Sequence, residues 1–203
     1  MENIVISIEA NNKPTNLPSL DEIIHTCRVA LKASTSYISG TPLVNKSDGI
    51  TLAWVKFGRS VTMQEAQTQR YVAQFLNDKA DPTVRVPSVY LAFQRGPYGY
   101  IVMEYIKGRI CNKRDAEQVA AAVQSLIAVP ARTTEPGPVG GGPIDHSFFM
   151  DGKSSVTYKS VPELEAHING VSVPLSLALP CPSCTFAGFR MITLNTDSGV
   201  CWA

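Results

Sequence analysis

The sequence predicts an α+β chain: a five-stranded antiparallel sheet crossed by one helix, followed by a shortened, mainly helical second part. Three observations carry this. Asp48-Gly49 separates the β-prone runs PLVNKS and ITLAWVKF, as the turn of a hairpin does. A second pair of such runs, SVYLAFQ and YGYIVMEYI, is joined through Gly96-Pro97. Between the two pairs, Thr62-Met63-Gln64-Glu65 reads as a capping box opening a helix to about Leu76. The chain divides accordingly into a first part, 1–107, and a second part, 108–203.

In chain order, LDEIIHTCRVAL (20–31) places Leu20, Ile23, Ile24, Cys27 and Leu31 on one helical face. Short β-prone runs and turn signals follow, the first at Gly40-Thr41-Pro42. Residues near 36–107 are expected to form a single antiparallel sheet. The helix to Leu76 should pack on it through Val72, Phe75 and Leu76. Asp81, Pro82 and Pro87 mark a loop before the second hairpin.

After Gly108 the character changes. Asp115 to Val129 reads as a helix, with an Asp115/Gln118 capping box and apolar Val119, Val123, Leu126 and Ile127. TTEPGPVGGGP (133–143) is too rich in Pro and Gly for regular structure. A further helix starts at Ser160, with Pro162 in its first turn and Asn169-Gly170 as its stop. The tail MITLNTDSGVCWA has a strand-turn-strand pattern.

Composition narrows the function classes. Of 203 residues, 44% are hydrophobic and 17% charged, a globular balance, and the net charge is +1. Lys and Arg form no run, so nucleic acid is not an expected partner. The N-terminus MENIVISIEA lacks the basic region of a secretory signal. Val171 to Leu179 is too short to span a bilayer and contains Pro174, so a membrane is not expected either. Five cysteines, an odd number and mostly isolated, suit a reducing compartment, and a cytoplasmic location is the expectation.

The candidate chemistry lies in three features in one order. Lys56 ends the apolar strand ITLAWVKFG, where a rigid backbone could hold its ammonium against nucleotide phosphates. Glu65 lies one turn into the next helix and could pair with Lys56, or serve only as the capping acid of Thr62. IVMEYIKG (101–108) is an apolar strand running into a glycine-ended connector, which could present backbone groups to a base.

From Trp54 to Asn169 the chain resembles the fungal branch of the aminoglycoside-phosphotransferase-like kinases. The resemblance is carried by WVKFG, VTMQEAQTQRYVAQF, VRVPSVYLAF, YIVMEYIKG, EPGPVGGGPI and ELEAHIN. It implies a protein-kinase-like fold, with 1–107 as a nucleotide-binding N-lobe and 108–203 as a partial C-lobe. It implies ATP as the ligand, Lys56 as the phosphate lysine and Glu65 as its helix partner. Met103 would stand behind the adenine, and the Glu104 carbonyl and Ile106 N–H would contact it. Gly40 is the sole glycine at the place of the phosphate cover. Gly140 to Gly142 is not a phosphate loop, since no Lys-Ser/Thr follows it.

The same resemblance implies impaired catalysis. The family pattern H-x-D-x-x-x-x-N is absent. In the best frame Ser183 replaces the His, Thr185 the catalytic Asp and Arg190 the metal-binding Asn. A positioned base contributes about 10²–10⁴ in rate, and threonine accepts no proton near neutral pH. Arg190 places a fixed cation where Mg²⁺ would sit, so no metal ligands are assigned. Should a base exist elsewhere, Asp145, Asp151 and Asp197 are the candidates. Cys181-Pro-Ser-Cys184 lacks the second ligand pair a structural zinc needs. Three functions remain: a nucleotide-binding pseudokinase, an active small-molecule phosphotransferase, or a module that binds a protein partner.

Overall fold

A computed structural model of the chain describes residues 3–34, 39–79, 84–172, 193–196 and 199–202. The first elements in order are β1 (Ile4–Glu9), α1 (Leu20–Ala33), β2 (Gly40–Val44), β3 (Thr51–Gly58), α2 (Met63–Asn77), β4 (Val84–Arg85), β5 (Val89–Arg95) and β6 (Tyr98–Met103). Then come β7 (Gly108–Ile110), a short 3₁₀ turn at Lys113–Asp115, α3 (Ala116–Ile127), α4 (Val161–Ser172), β8 (Thr193–Thr196) and β9 (Gly199–Trp202).

Five strands form one antiparallel sheet in the order β1-β5-β6-β3-β2. Its two hairpins are those the turn residues predict. At the first, Gly49 takes φ 72°, and the Asp48 carboxylate accepts from the Ile50 N–H at 2.9 Å. At the second, Gly96 takes φ 56° as the first central residue of a two-residue turn, a position open to glycine. The fifth strand departs from expectation. It is Ile4–Glu9, added to the edge beside β5, and not a run from the 36–107 region.

Strand alternation gives the sheet two covered faces. Ala53, Val55 and Phe57 of β3 point to one side, where Ile23, Ile24 and Cys27 of α1 join Leu91, Phe93, Tyr100 and Val102. Phe93 and Tyr100 stack there at 4.8 Å between centroids, worth about 0.5–1.5 kcal/mol beyond their buried area. Ser19 caps α1 with a full capping box to Glu22. Leu31, expected on the buried face, is exposed.

On the opposite side Trp54 packs with Val61, Ala66, Ile101 and Met103. The helix α2 meets the sheet there through Ala66 and not as expected through its C-terminal half. Val72 and Leu76, with Phe75 partly covered, pack on Val84, Val86, Ala122 and Val129, so they join α2 to α3. Gly99 lies under the turn before α2, where a Cβ would collide with the Val61 main chain.

The second part carries less helix than predicted. Among its described residues, α3 and α4 are the only α-helices, and residues 129–160 are largely irregular. Its start also differs from the predicted capping box. Asn112, not Asp115, accepts the capping bond, and Asp115 reaches back to the Asn112 N–H. The helix α4 runs past Asn169-Gly170 to Ser172. A small cluster of Ile144, Tyr158 and Leu164 supports α4, and the Tyr158 hydroxyl meets His167 Nδ1 at 3.0 Å. The tail strands β8 and β9 pair antiparallel, as their pattern predicts, and join a second sheet in the order β4-β8-β9-β7. That sheet contains a parallel pair, β7 with β9. No helix among the described residues is long and apolar enough to cross a membrane.

Candidate functional site

The strand β3 sends Trp54 and Lys56 toward α2. Lys56 stands opposite Ile101 on β6 and opposite Gly40 on β2, while Trp54 stands opposite Met103 and Pro42. Of the residues that the sequence singles out, Gly40, Lys56 and Met103 are therefore brought to one sheet face. Lys56 Nζ donates to Glu65 Oε1, closing an ion pair between strand and helix. The Lys56 side chain is 13% exposed and that of Glu65 24%.

This pair decides between the two roles open to Glu65. Thr62 Oγ1 accepts from the Glu65 N–H at 3.1 Å, so Thr62 does cap α2. The Glu65 carboxylate does not return to Thr62. It goes to Lys56, and the capping box is only half made.

A buried glutamine, which the sequence reading missed, fixes the neighbouring strand. Gln69 is 9% exposed, and its Nε2 donates to the Pro87 carbonyl at 2.9 Å and meets the Met103 sulfur at 3.3 Å. It ties α2 to the loop before β5 and to the end of β6. Its signal in the sequence is a polar residue on the inward face of α2, between Ala66 and Val72.

At Glu104 the ladder between β5 and β6 changes character. The Glu104 N–H donates to the Ser88 carbonyl at 2.8 Å. The return bond from the Ser88 N–H goes to Glu104 Oε2 at 3.3 Å, a side-chain atom. Arg85 pairs with the other carboxylate oxygen. The Glu104 carbonyl is thereby left out of the ladder. Among the described residues neither it nor the Ile106 N–H has a hydrogen-bond partner. An acceptor and a donor two residues apart are thus available beside Met103.

Gly40 has a local reason to be glycine. A Cβ there would lie 2.5 Å from Trp54 Nε1, because the indole fills that space. Gly140, at φ 94°, belongs to a segment that docks on α2: the Val139 N–H donates to Thr68 Oγ1 at 2.9 Å, and a Cβ on Gly140 would meet the Gln67 side chain.

Two carboxylates of the second part, Asp115 and Asp145, have structural partners. Asp115, 4% exposed, accepts from both Arg109 nitrogens at 2.7 and 2.6 Å and from the Asn112 N–H at 2.8 Å. Those bonds, the Arg109 pair first, hold its carboxyl at about 2. Asp145 lies 3.7 Å from Lys153. Asp151 is exposed. Thr185, Arg190, Asp197 and the Cys181/Cys184 pair lie outside the described residues. Among the described residues no group of three His, Cys, Asp or Glu is placed to hold a metal ion.

No family model, curated protein or solved structure matches the chain.

Proposed function

We propose that residues 1–107 are a kinase-type nucleotide lobe and that the chain is a pseudokinase-like member of the aminoglycoside-phosphotransferase-like kinases. The Lys56–Glu65 pair carries this reading. Such a lobe holds its phosphate lysine on a strand and orients it with a glutamate from the following helix. Here that lysine and glutamate, nine residues apart, meet on the sheet face that also bears Met103.

Lys56 supplies a fixed positive charge to the phosphates. Glu65 keeps the ammonium from swinging to solvent. The Glu104 carbonyl and the Ile106 N–H match the acceptor and donor edge of adenine. No proton-accepting group is assigned at Thr185, so the chain binds ATP without transferring its phosphoryl group efficiently.

Titration of a fluorescent ATP analogue, with and without Mg²⁺, tests this. Saturable binding that needs no metal and is lost in Lys56→Ala supports it. Binding that requires metal, with turnover, would favour an active small-molecule phosphotransferase. No binding in any condition would leave the protein-interaction module.

A further inference from the structure

Trp54 occupies part of the sheet face that bears Lys56. Trp54 lies two residues before Lys56 on the same side of β3, directly across from Met103. Its side chain is partly buried. The indole leans over Gly40, the residue paired with Lys56, and occupies the volume of the missing Cβ. The ring therefore lies on the β2 side of its strand, away from Met103 and beside the cross-strand partner of Lys56, where the phosphates of a nucleotide would reach the lysine. The Lys56 side chain beside it is 13% exposed.

The polar end of the ring gives a second observation. Nε1 is buried and has no hydrogen-bond partner. An unpaired buried donor disfavours the conformation that contains it. Moving the indole off Gly40 would open the space beside Lys56 and return this N–H to water or to a ligand oxygen. The covered state is thus held by apolar contact and opposed by one orphaned donor, a balance that permits both positions.

We propose that Trp54 is a built-in gate of the nucleotide site: its indole fills the space over Gly40 beside Lys56 in the closed state, and a nucleotide reaches Lys56 only when it swings away. This rests on the nucleotide-lobe reading. A ligand that requires a minor open state has its apparent affinity reduced by the open fraction. Removing the ring removes that reduction. Gly40 supplies an independent handle, because a methyl group there forces the indole out without deleting it.

The test compares a fluorescent ATP analogue on the full-length wild type, Trp54→Ala, Trp54→Val and Gly40→Ala, with circular dichroism to confirm folding. Trp54→Val keeps a strand-forming side chain should the alanine variant unfold. The proposal expects binding at least about tenfold tighter in both Trp54 variants and in Gly40→Ala, as for an open fraction near one tenth in the wild type. In a Trp202→Phe background, Gly40→Ala should also make Trp54 emission red-shifted and more readily quenched by acrylamide. Unchanged affinity in folded Trp54 and Gly40 variants, with binding still dependent on Lys56, would overturn the gate and leave the nucleotide reading standing. Absence of binding in every folded variant would overturn both. Weaker binding in the Trp54 variants, with Gly40→Ala unaffected, would make Trp54 a ligand contact and overturn the gate.

Discussion

The Lys56–Glu65 pair can be measured by a double-mutant cycle of Lys56→Met, Glu65→Gln and the double variant. With the side chains 13% and 24% exposed, the pair lies between the two usual limits. Fully exposed pairs contribute about 0–1 kcal/mol. Breaking a fully buried pair costs about 3–5 kcal/mol, because a charge is left without a partner. Lys56→Met keeps most of the apolar stem and strands the Glu65 carboxylate, so a loss of about 2 kcal/mol is expected between those limits. The coupling energy of the cycle should be about 1–2 kcal/mol, well above the few tenths at which distant mutations add. Urea unfolding followed by far-UV circular dichroism reads it, as midpoint shifts at unchanged slope. Raising the salt concentration should change the coupling little, since screening acts mainly on exposed charges. A coupling within about 0.5 kcal/mol of zero would refute the pairing in solution, and the orientation of Lys56 by Glu65 with it.

Three further outcomes follow. Asp115, held at about 2 against an ordinary 3.8 by Arg109 and the Asn112 N–H, contributes stability that is fully present above pH 3.8 and lost as pH falls toward 2. Urea midpoints between pH 5 and pH 2 should therefore fall more steeply in the wild type than in Asp115→Asn. Burial of Cys27 between α1 and the sheet pushes its thiol up to about 12 from an ordinary 9.0, so between those pH values only the unfolded thiol ionises and stability falls as pH rises. Iodoacetamide at pH 8 should leave Cys27 unmodified until urea unfolds the chain, as read by peptide mass mapping. ATP turnover with Mg²⁺ or Mn²⁺ should be near background and unchanged by Lys56→Ala. Robust turnover lost in that variant would reveal an unassigned base.

Where the sequence reading succeeded, a local rule and the tertiary fold agree. The strand ITLAWVKFG alternates strictly, so Ala53, Val55 and Phe57 fall under α1 while Trp54 and Lys56 fall under α2. Glu65 follows Lys56 by a turn and one helical step, short enough that little else could separate them. The β1 strand was missed because an edge strand buries little: Val5 is 61% and Ile6 48% exposed, and of its residues Ile8 alone is fully buried, with Ile4 partly so. The role of Asp115 was misread because its partner Arg109 lies on a three-residue strand with no periodic signal. Val72 and Leu76 were rightly expected to be buried and assigned to the wrong surface. Spacing tells that a helix face is covered, and the chain that covers it comes from α3 and β4. The conflict at Gly40 was also illegible, since the ring that needs its space belongs to the neighbouring strand.

The central claim is that Lys56 faces the phosphates of a bound nucleotide, and an acyl-phosphate derivative of ATP tests it most directly. Such a reagent transfers its acyl group to the lysine nearest the phosphates, and the modified residue is found by peptide mass mapping. Lys56 should be the lysine acylated, excess ATP should suppress the label, and Trp54→Ala should increase it. Label on exposed lysines such as Lys46, with Lys56 unmodified even in Trp54→Ala, would contradict the nucleotide reading of this sheet face.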